Sequence, residues 1–345
     1  MLPALRAAIA ALVLFGVASG TGRNAASAAE VNLYTTREPG LIKPLLAAYT
    51  QATGVQVNTV FLQGGLAERV QAEGARSPAD LMIVVDIGNL SDLAKRGLTQ
   101  PVRSAAVEAA IPSGLRDPGG HWFALSLRAR AIMVSKERVP DTTLTYENLA
   151  DPRWKGRLCL RSGQHPYNTA LFAALLAHHD AAWLDTYLAG LKANLARRPA
   201  GGDRDVARDI LAGQCDVGLA NTYYGGLMLS GAGGAEQKRW GEAVRVVLPG
   251  FADGGGTHVN VSGAAVARHA PNREEAVKLL EFLTSPAAQQ SFAEANFEYP
   301  VRQGVALNPI VASFGTLRVD ETPLTEIAAR REAASLAVDR AGLDR

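Results

Sequence analysis

The chain has 345 residues, with 35 Lys or Arg and 33 Asp or Glu, which gives a formal net charge of +2. This length is enough for about two domains of ordinary size. The nearly neutral charge is unlike the strong basic excess of nucleic-acid-binding domains, so we predict no nucleic-acid partner. The two cysteines exclude a disulfide-dense scaffold and a zinc site built from four thiolates.

The first 28 residues have the order of a secretory signal peptide. Arg6 is the only charged side chain before an apolar run over residues 7–18, and Ala26-Ser27-Ala28 offers small residues at a cleavage site. The apolar run is shorter than the ~20 residues that span a bilayer. We therefore predict a signal peptide over residues 1–28 and an exported protein that is not membrane-embedded after cleavage. Cleavage removes Arg6 and Arg23 and no acid, which leaves 33 basic and 33 acidic residues.

Beyond Glu30, short apolar runs typical of strands alternate with longer helical patterns. This alternation predicts parallel sheets with helices on both faces. The predicted strands are 31–34, 55–60, 81–85, 157–160 and 216–220, and the predicted helices are 41–53, 66–74, 90–95, 169–178, 183–195, 203–212, 274–282 and 287–295.

Two extended stretches, 123–134 and 258–266, are candidates for strands that cross between two lobes. The predicted fold is therefore α/β, two-lobed, of the type II-like periplasmic-binding-protein kind, with mixed sheets flanked by helices and hinge strands between the lobes. We expect an N-terminal lobe of residues 29–125 plus 258–310 and a C-terminal lobe of residues 126–257. Helices over residues 311–345 are expected to pack on the lobes.

Tyrosines follow two of the predicted strands. Tyr223 and Tyr224 come directly after strand 216–220 and before two glycines, which predicts a turn there. Tyr167 stands 56 residues before Tyr223 and also follows a strand. A phenol has a pKa near 10 and is a poor ligand for most metals, but a hard trivalent cation favours anionic oxygen donors. The alternative is that the tyrosines are half-buried packing residues.

The two cysteines repeat the same interval. Cys159 lies eight residues before Tyr167, and Cys215 lies eight residues before Tyr223. In an oxidising compartment, a disulfide between them would tie together the two strands that lead to the tyrosines. Two buried thiols are the alternative, since spacing does not fix the distance between the sulfurs.

Several stretches across the mature chain form a recognisable set of motifs. They are Tyr34–Leu46 (YTTREPGLIKPLL), 77–80 (SPAD) with 86–90 (DIGNL), 154–157 (WKGR) with 161–168 (RSGQHPYN), 220–224 (ANTYY), 256–263 (GTHVNVSG) and 297–301 (FEYPV). With these motifs the chain resembles the periplasmic ferric-iron-binding proteins of ABC iron importers, in particular their tyrosine-rich subgroup. The resemblance implies a transferrin-like, two-lobed fold and a binding protein that is not an enzyme.

The resemblance also implies a ligand set. The family's adjacent tyrosine pair matches Tyr223 and Tyr224, and its third tyrosine matches Tyr167, so all three would bind Fe(III) as phenolates. A synergistic anion such as carbonate or a small carboxylate would complete the site, with Arg37 and Arg130 as candidates for holding it. Ordinary salt bridging is the alternative role of both arginines. The implied partner is an inner-membrane ABC permease with its ATPase, and we expect a periplasmic monomer.

The first lobe departs from the family pattern. Some relatives have a histidine or a further tyrosine in the loop after the first strand, whereas residues 35–39 contain neither. Glu38 and Tyr34 are the remaining candidates for a ligand from this lobe.

Two other functions stay open at this point. One is a binding protein for another small anion or an organic solute. The other is an exported hydrolase that uses Ser262 and His258, although the chain has no Gly-x-Ser-x-Gly motif.

Overall fold

The computed structural model describes residues 29–140 and 143–345, so the predicted signal peptide over residues 1–28 lies outside the described residues. The apolar segments predicted to be strands are strands in the structure. The strands of the described chain are β1 (Glu30–Thr35), β2 (Gln56–Phe61), β3 (Leu81–Val85), β4 (Phe123–Ser135), β5 (Leu158–Cys159), β6 (Val217–Asn221), β7 (Val244–Val247), β8 (Val259–Val266) and β9 (Tyr299–Pro300).

The helical segments lie between and after these strands. None of the helices in the described part of the chain is long and apolar enough to cross a membrane. The helices are α1 (Pro39–Thr53), α2 (Leu66–Glu73), α3 (Ile87–Lys95), α4 (Ala105–Ala110), α5 (Pro166–His178), α6 (Ala181–Asn194), α7 (Asp203–Leu211), α8 (Thr222–Ser230), α9 (Ala235–Ala243), α10 (Arg273–Leu283), α11 (Pro286–Asn296), α12 (Pro309–Ala312) and α13 (Leu324–Ala341).

The strands form a mixed sheet in the order β2-β1-β3-β8-β4-β6-β5, and β7 and β9 also pair with β4. β1 is parallel to β2 and β3, whereas β8 is antiparallel to β3 and β4. We call β1, β2, β3 and β8 with their helices α1–α4, α10 and α11 the first lobe. We call β5, β6 and β7 with helices α5–α9 the second lobe.

β4 joins the two lobes. All 13 of its residues are buried. Its first part pairs with β8 as far as Ala129, and its second part, from Arg130, pairs with β6 and β7. The two extended stretches predicted at 123–134 and 258–266 are thus the strands β4 and β8 in the middle of the sheet. The residue limits predicted for the lobes stay a prediction.

The segments that carry the tyrosines begin helices, not turns. α8 begins at Thr222 with Asn221 as its N-cap, so the turn predicted after strand 216–220 is wrong. α5 begins at Pro166, three residues before the predicted start, because proline is compatible with the first turn of a helix. A disulfide joins Cys159, the second residue of β5, to Cys215, two residues before the adjacent parallel strand β6, and their Cα atoms are 5.9 Å apart.

Candidate metal centre

The three tyrosines predicted as ligands lie together at two neighbouring helix N-termini. Because β5 and β6 are adjacent and parallel, their carboxyl ends lead α5 and α8 away from the same edge of the sheet. Tyr167 is the second residue of α5, and Tyr223 and Tyr224 are the second and third of α8. The hydroxyl oxygens of Tyr167 and Tyr223 are 3.2 Å apart, and the ring centroids of Tyr223 and Tyr224 are 4.2 Å apart.

The tyrosines line a cavity of about 360 Å³ to which both lobes contribute. The second lobe supplies the tyrosine side of this cavity, and the first lobe supplies the opposite side from the loops after β1 and β2 and from β3 and α3. First-lobe residues on the wall include Thr36, Arg37, Glu38, Gln63, Glu68, Val85, Asn89 and Asp92.

The cavity favours the protonated form of Tyr223 and Tyr224. Burial raises the pKa of Tyr223 well above its usual value of 10, and the neighbouring phenols raise it further, although Arg128 acts in the opposite direction. Burial, followed by the charge of Tyr167, also raises the pKa of Tyr224. The surroundings nevertheless suit a negative charge once it forms. The guanidinium carbons of Arg128 and Arg161 lie 5.3 and 5.1 Å from the Tyr167 ring, and helix N-termini favour anions.

Arg37 lies on the cavity wall, as an anion-holding residue would. Its guanidinium donates to both carboxylate oxygens of Glu298, at 2.7 and 3.3 Å, and to the hydroxyl of Ser262 at 2.9 Å. Its Nε is buried without a hydrogen-bond partner in the described chain. Arg128, which sequence reasoning did not consider, also lines the cavity and donates to the Ser262 hydroxyl at 3.0 Å.

Arg130 does not line the cavity. Its guanidinium is buried and donates to Asp203 at 2.6 Å, to Asn168 at 2.6 Å and to Asn221 at 3.2 Å. These partners belong to α7, α5 and the end of β6, so Arg130 ties together the elements that carry the tyrosines. The place on the cavity wall that the sequence suggested for Arg130 is occupied by Arg128, two residues earlier on the same face of β4.

The two first-lobe candidates lie in different places. Tyr34 is buried away from the cavity, and its hydroxyl donates to Glu73 at 3.0 Å. Glu38 is exposed at the cavity wall. Within residues 29–140 and 143–345, no three His, Cys, Asp or Glu side chains are grouped so that they could hold a metal ion. The structure does bring the three phenols together on the cavity wall.

His165 is a site residue that sequence reasoning missed. It is the N-cap of α5, where its Nδ1 accepts the backbone N–H of Tyr167 at 3.2 Å, and its ring meets the Tyr167 ring edge-on at 4.5 Å. Burial, with help from Arg161, lowers the pKa of His165 to about 4, so the ring is neutral at pH 7. A side-chain acceptor directly before proline at a helix start was the signal that could have identified it.

The residues considered for a hydrolase lack the necessary contact. The hydroxyl of Ser262 accepts hydrogen bonds from two guanidinium groups, and both ring nitrogens of His258 are buried without a partner in the described chain. Burial lowers the pKa of His258 to about 3. No base is hydrogen-bonded to the Ser262 hydroxyl in this arrangement, so it does not form an activated nucleophile.

The comparison with protein families decides the class. The model of the family described as bacterial extracellular solute-binding protein matches residues 34–290. The chain belongs to this family. Membership in a solute-binding family agrees with the prediction that the protein is not an enzyme.

Individual relatives show a more specific similarity than the family as a whole. The chain is 42% identical to Iron uptake protein A1 of Synechocystis sp. over 315 residues, which is 91% of this chain and 87% of that protein. Among solved structures, a Bordetella ferric binding protein is 57% identical with a TM-score of 0.87, over 92% of this chain and 100% of that one.

A Trichodesmium FutA solved with iron and citrate is 37% identical with a TM-score of 0.86, over 91% of this chain and 99% of that one. The predicted two-lobed α/β fold and the predicted resemblance to ferric-iron-binding proteins are therefore confirmed.

Proposed function

We propose that this protein captures Fe(III) between its two lobes through the phenolates of Tyr167, Tyr223 and Tyr224. The observation that carries this proposal is the convergence of the three phenols, from two helix N-termini, on one interlobe cavity. A cluster of phenols suits a hard trivalent cation, which lowers the pKa of the oxygen donors that it binds.

Three phenolates would neutralise the charge of a ferric ion, and the rest of its coordination shell needs further donors. A synergistic anion, carbonate or a small carboxylate, would fill these positions. Arg37 lies on the cavity wall and is the candidate to hold it, although its guanidinium is already paired with Glu298 and the anion would have to share it with that carboxylate. The citrate found with iron in the Trichodesmium relative supports an anion of this kind. Glu38, exposed on the opposite wall, is the candidate for a first-lobe ligand on lobe closure.

The cellular role follows from the family. An extracellular solute-binding protein with a predicted signal peptide would work in the periplasm and deliver iron as a monomer to an inner-membrane ABC permease with its ATPase. The name of the Synechocystis relative, which refers to iron uptake, supports this direction of transport.

The test removes the phenol hydroxyls and keeps the rings. The double variant Tyr223→Phe/Tyr224→Phe should lose high-affinity binding of Fe(III), offered as its nitrilotriacetate complex with bicarbonate, and should lose the visible iron–phenolate absorption. Tyr34→Phe is the matched control, since it removes a buried tyrosine hydroxyl outside the cavity. The proposal is wrong if the double variant, with an unchanged circular dichroism spectrum, binds ferric ion as tightly as the control.

A further inference from the structure

The C-terminal helix α13 contacts both lobes. It packs against α5 and α6 of the second lobe and against α3 of the first. Its contact with the first lobe includes an ion pair in which Arg331 Nη1 donates to Asp86 Oδ1 at 2.6 Å. The Asp86 side chain is fully buried and that of Arg331 is 20% exposed, so solvent screens this pair only weakly.

Asp86 lies in the first lobe, between the paired strands β3 and β8 and helix α3. It directly follows β3 and caps α3, since its Oδ1 accepts the backbone N–H of Gly88 at 2.7 Å. Its other oxygen accepts from the side chain of Asn260, on β8, at 2.7 Å. The backbone of Asp86 has φ 135°, a value that favours glycine, so this conformation is strained and must be maintained by its surroundings. Arg331 and Asn260 supply the contacts that fix the carboxylate.

The second-lobe side of α13 holds the segment that leads to Tyr167. The side chain of Gln164 donates to the backbone oxygen of Ser335 at 2.9 Å and accepts from the Ser335 hydroxyl at 2.7 Å. Just after the helix, the Asp344 carboxylate accepts from the backbone N–H of Gly163 at 2.7 Å. One helix therefore contacts both the first lobe and the chain three residues before a predicted iron ligand.

We propose that α13 connects the two lobes rigidly and that the Arg331–Asp86 contact sets the position of the first lobe relative to the tyrosines. Arg331 is then a positioning residue for closure on the ligand. Loss of the Arg331 guanidinium leaves the buried negative charge of the Asp86 carboxylate without its ion-pair partner. Reorientation of the first lobe would then expose that carboxylate to water. The part concerning iron affinity rests on the function proposed above, whereas the part concerning lobe position does not.

The primary measurement is the distance between the lobes in the iron-free protein. Spin labels on cysteines introduced at Ala47 in α1 and Glu236 in α9, both exposed, report this distance by pulsed electron paramagnetic resonance. The Arg331→Met variant should shift and broaden the distance distribution. Arg340→Gln is the matched control, because Arg340 lies on the same helix and pairs at 2.7 Å with Asp185, within the second lobe, at an exposed position. Arg340→Gln should leave the distribution unchanged.

A second variant distinguishes an effect on the position of the lobes from a general loss of stability. If Arg331 acts through Asp86, Asp86→Asn should shift the distribution as well, and the double variant should shift it no further than the larger single one. Iron affinity should fall about tenfold in Arg331→Met, within the usual range of coupling between distant sites. A folded Arg331→Met protein with the distance distribution of Arg340→Gln would overturn the proposal, whether or not the wild type binds iron. A wild type that binds no iron would instead overturn the proposed function.

Discussion

Iron capture should be coupled to the release of one proton from each tyrosine that binds. Burial raises the pKa of Tyr223 and of Tyr224 above the phenol value of 10, so both are protonated near neutral pH. Binding of these two tyrosines as phenolates at pH 7 therefore releases about two protons per ferric ion, which contributes about 100-fold per pH unit to the rise of the apparent association constant. A Tyr224→Phe variant keeps only the contribution of Tyr223, so the rise of its constant should be smaller by about tenfold per unit.

The free energy needed to ionise the phenols sets the size of the pH effect on iron affinity. A phenol with a pKa of at least 10 requires at least ~4 kcal/mol to ionise at pH 7, so Tyr223 and Tyr224 together require at least ~8 kcal/mol that the cation must supply. Tyr224→Phe removes one ligand together with its ionisation cost. The affinity deficit of the variant should therefore be smallest at pH 6 and should grow by about tenfold for each pH unit up to pH 8.

The assay compares wild type and variant under identical conditions. Fe(III) is offered as the nitrilotriacetate complex at pH 6, 7 and 8, and binding is followed by visible absorption and by proton release in a weakly buffered solution. The protonation of the chelator affects the measurements on both proteins equally. The difference between their pH slopes therefore reports the one proton that Tyr224 releases. Tyr34→Phe should retain the wild-type slope, since its hydroxyl binds Glu73 outside the cavity. Equal slopes for wild type and Tyr224→Phe would show that Tyr224 does not ionise on binding.

Three further predictions concern stability. Burial lowers the pKa of His258 to about 3, so only the unfolded chain takes up a proton at this residue between pH 6.5 and 3, and the free energy of unfolding falls as the pH falls. The His258→Gln variant should therefore lose about 2 kcal/mol less of its free energy of unfolding between pH 7 and pH 5, as measured by urea titration. Reduction of the Cys159–Cys215 disulfide, which spans 56 residues, should lower the free energy of unfolding by about 4 kcal/mol, measured with and without reductant. Gly226→Ala should destabilise the fold by ~1–3 kcal/mol in the same titration, because its Cβ would lie 2.5 Å from Phe297 Cβ; an unchanged midpoint would contradict this close packing.

The fold was predictable because its strands and helices carry strong local patterns. Buried strands such as β3 are continuous apolar runs, and β4 and β8 are extended, largely apolar stretches. The turn predicted at Tyr223 is wrong because the two adjacent glycines, a local turn signal, lie within a helix. In the structure these glycines lie inside α8 and permit close packing: a Cβ on Gly225 would lie 2.9 Å from Val246. Tertiary packing, which a single sequence does not show, outweighs the local preference.

The site was predictable only in part. The tyrosine set could be proposed because the repeated interval of 56 residues, together with the family motifs, marked both segments. The choice between Arg128 and Arg130 could not be made, because both lie on one face of β4 and only the pairing with β6 and β8 decides which of them reaches the cavity. The role of His165 depends on the start of α5, and helix starts are the part of a helix that sequence patterns locate least well.

Protonation of Tyr223 and Tyr224 affects which cations the cavity would select. Each phenol must ionise to bind, and the burial that raises the pKa of Tyr223 makes this step costly for any cation. A divalent cation would compensate less of the negative charge of the phenolates and the anion than a trivalent ion does. At the proposed site, the free energy of ionising the phenols would be offset more fully by ferric ion than by a divalent ion. Cleavage of the predicted signal peptide would leave 33 basic and 33 acidic residues, so this discrimination would have to come from the cavity itself.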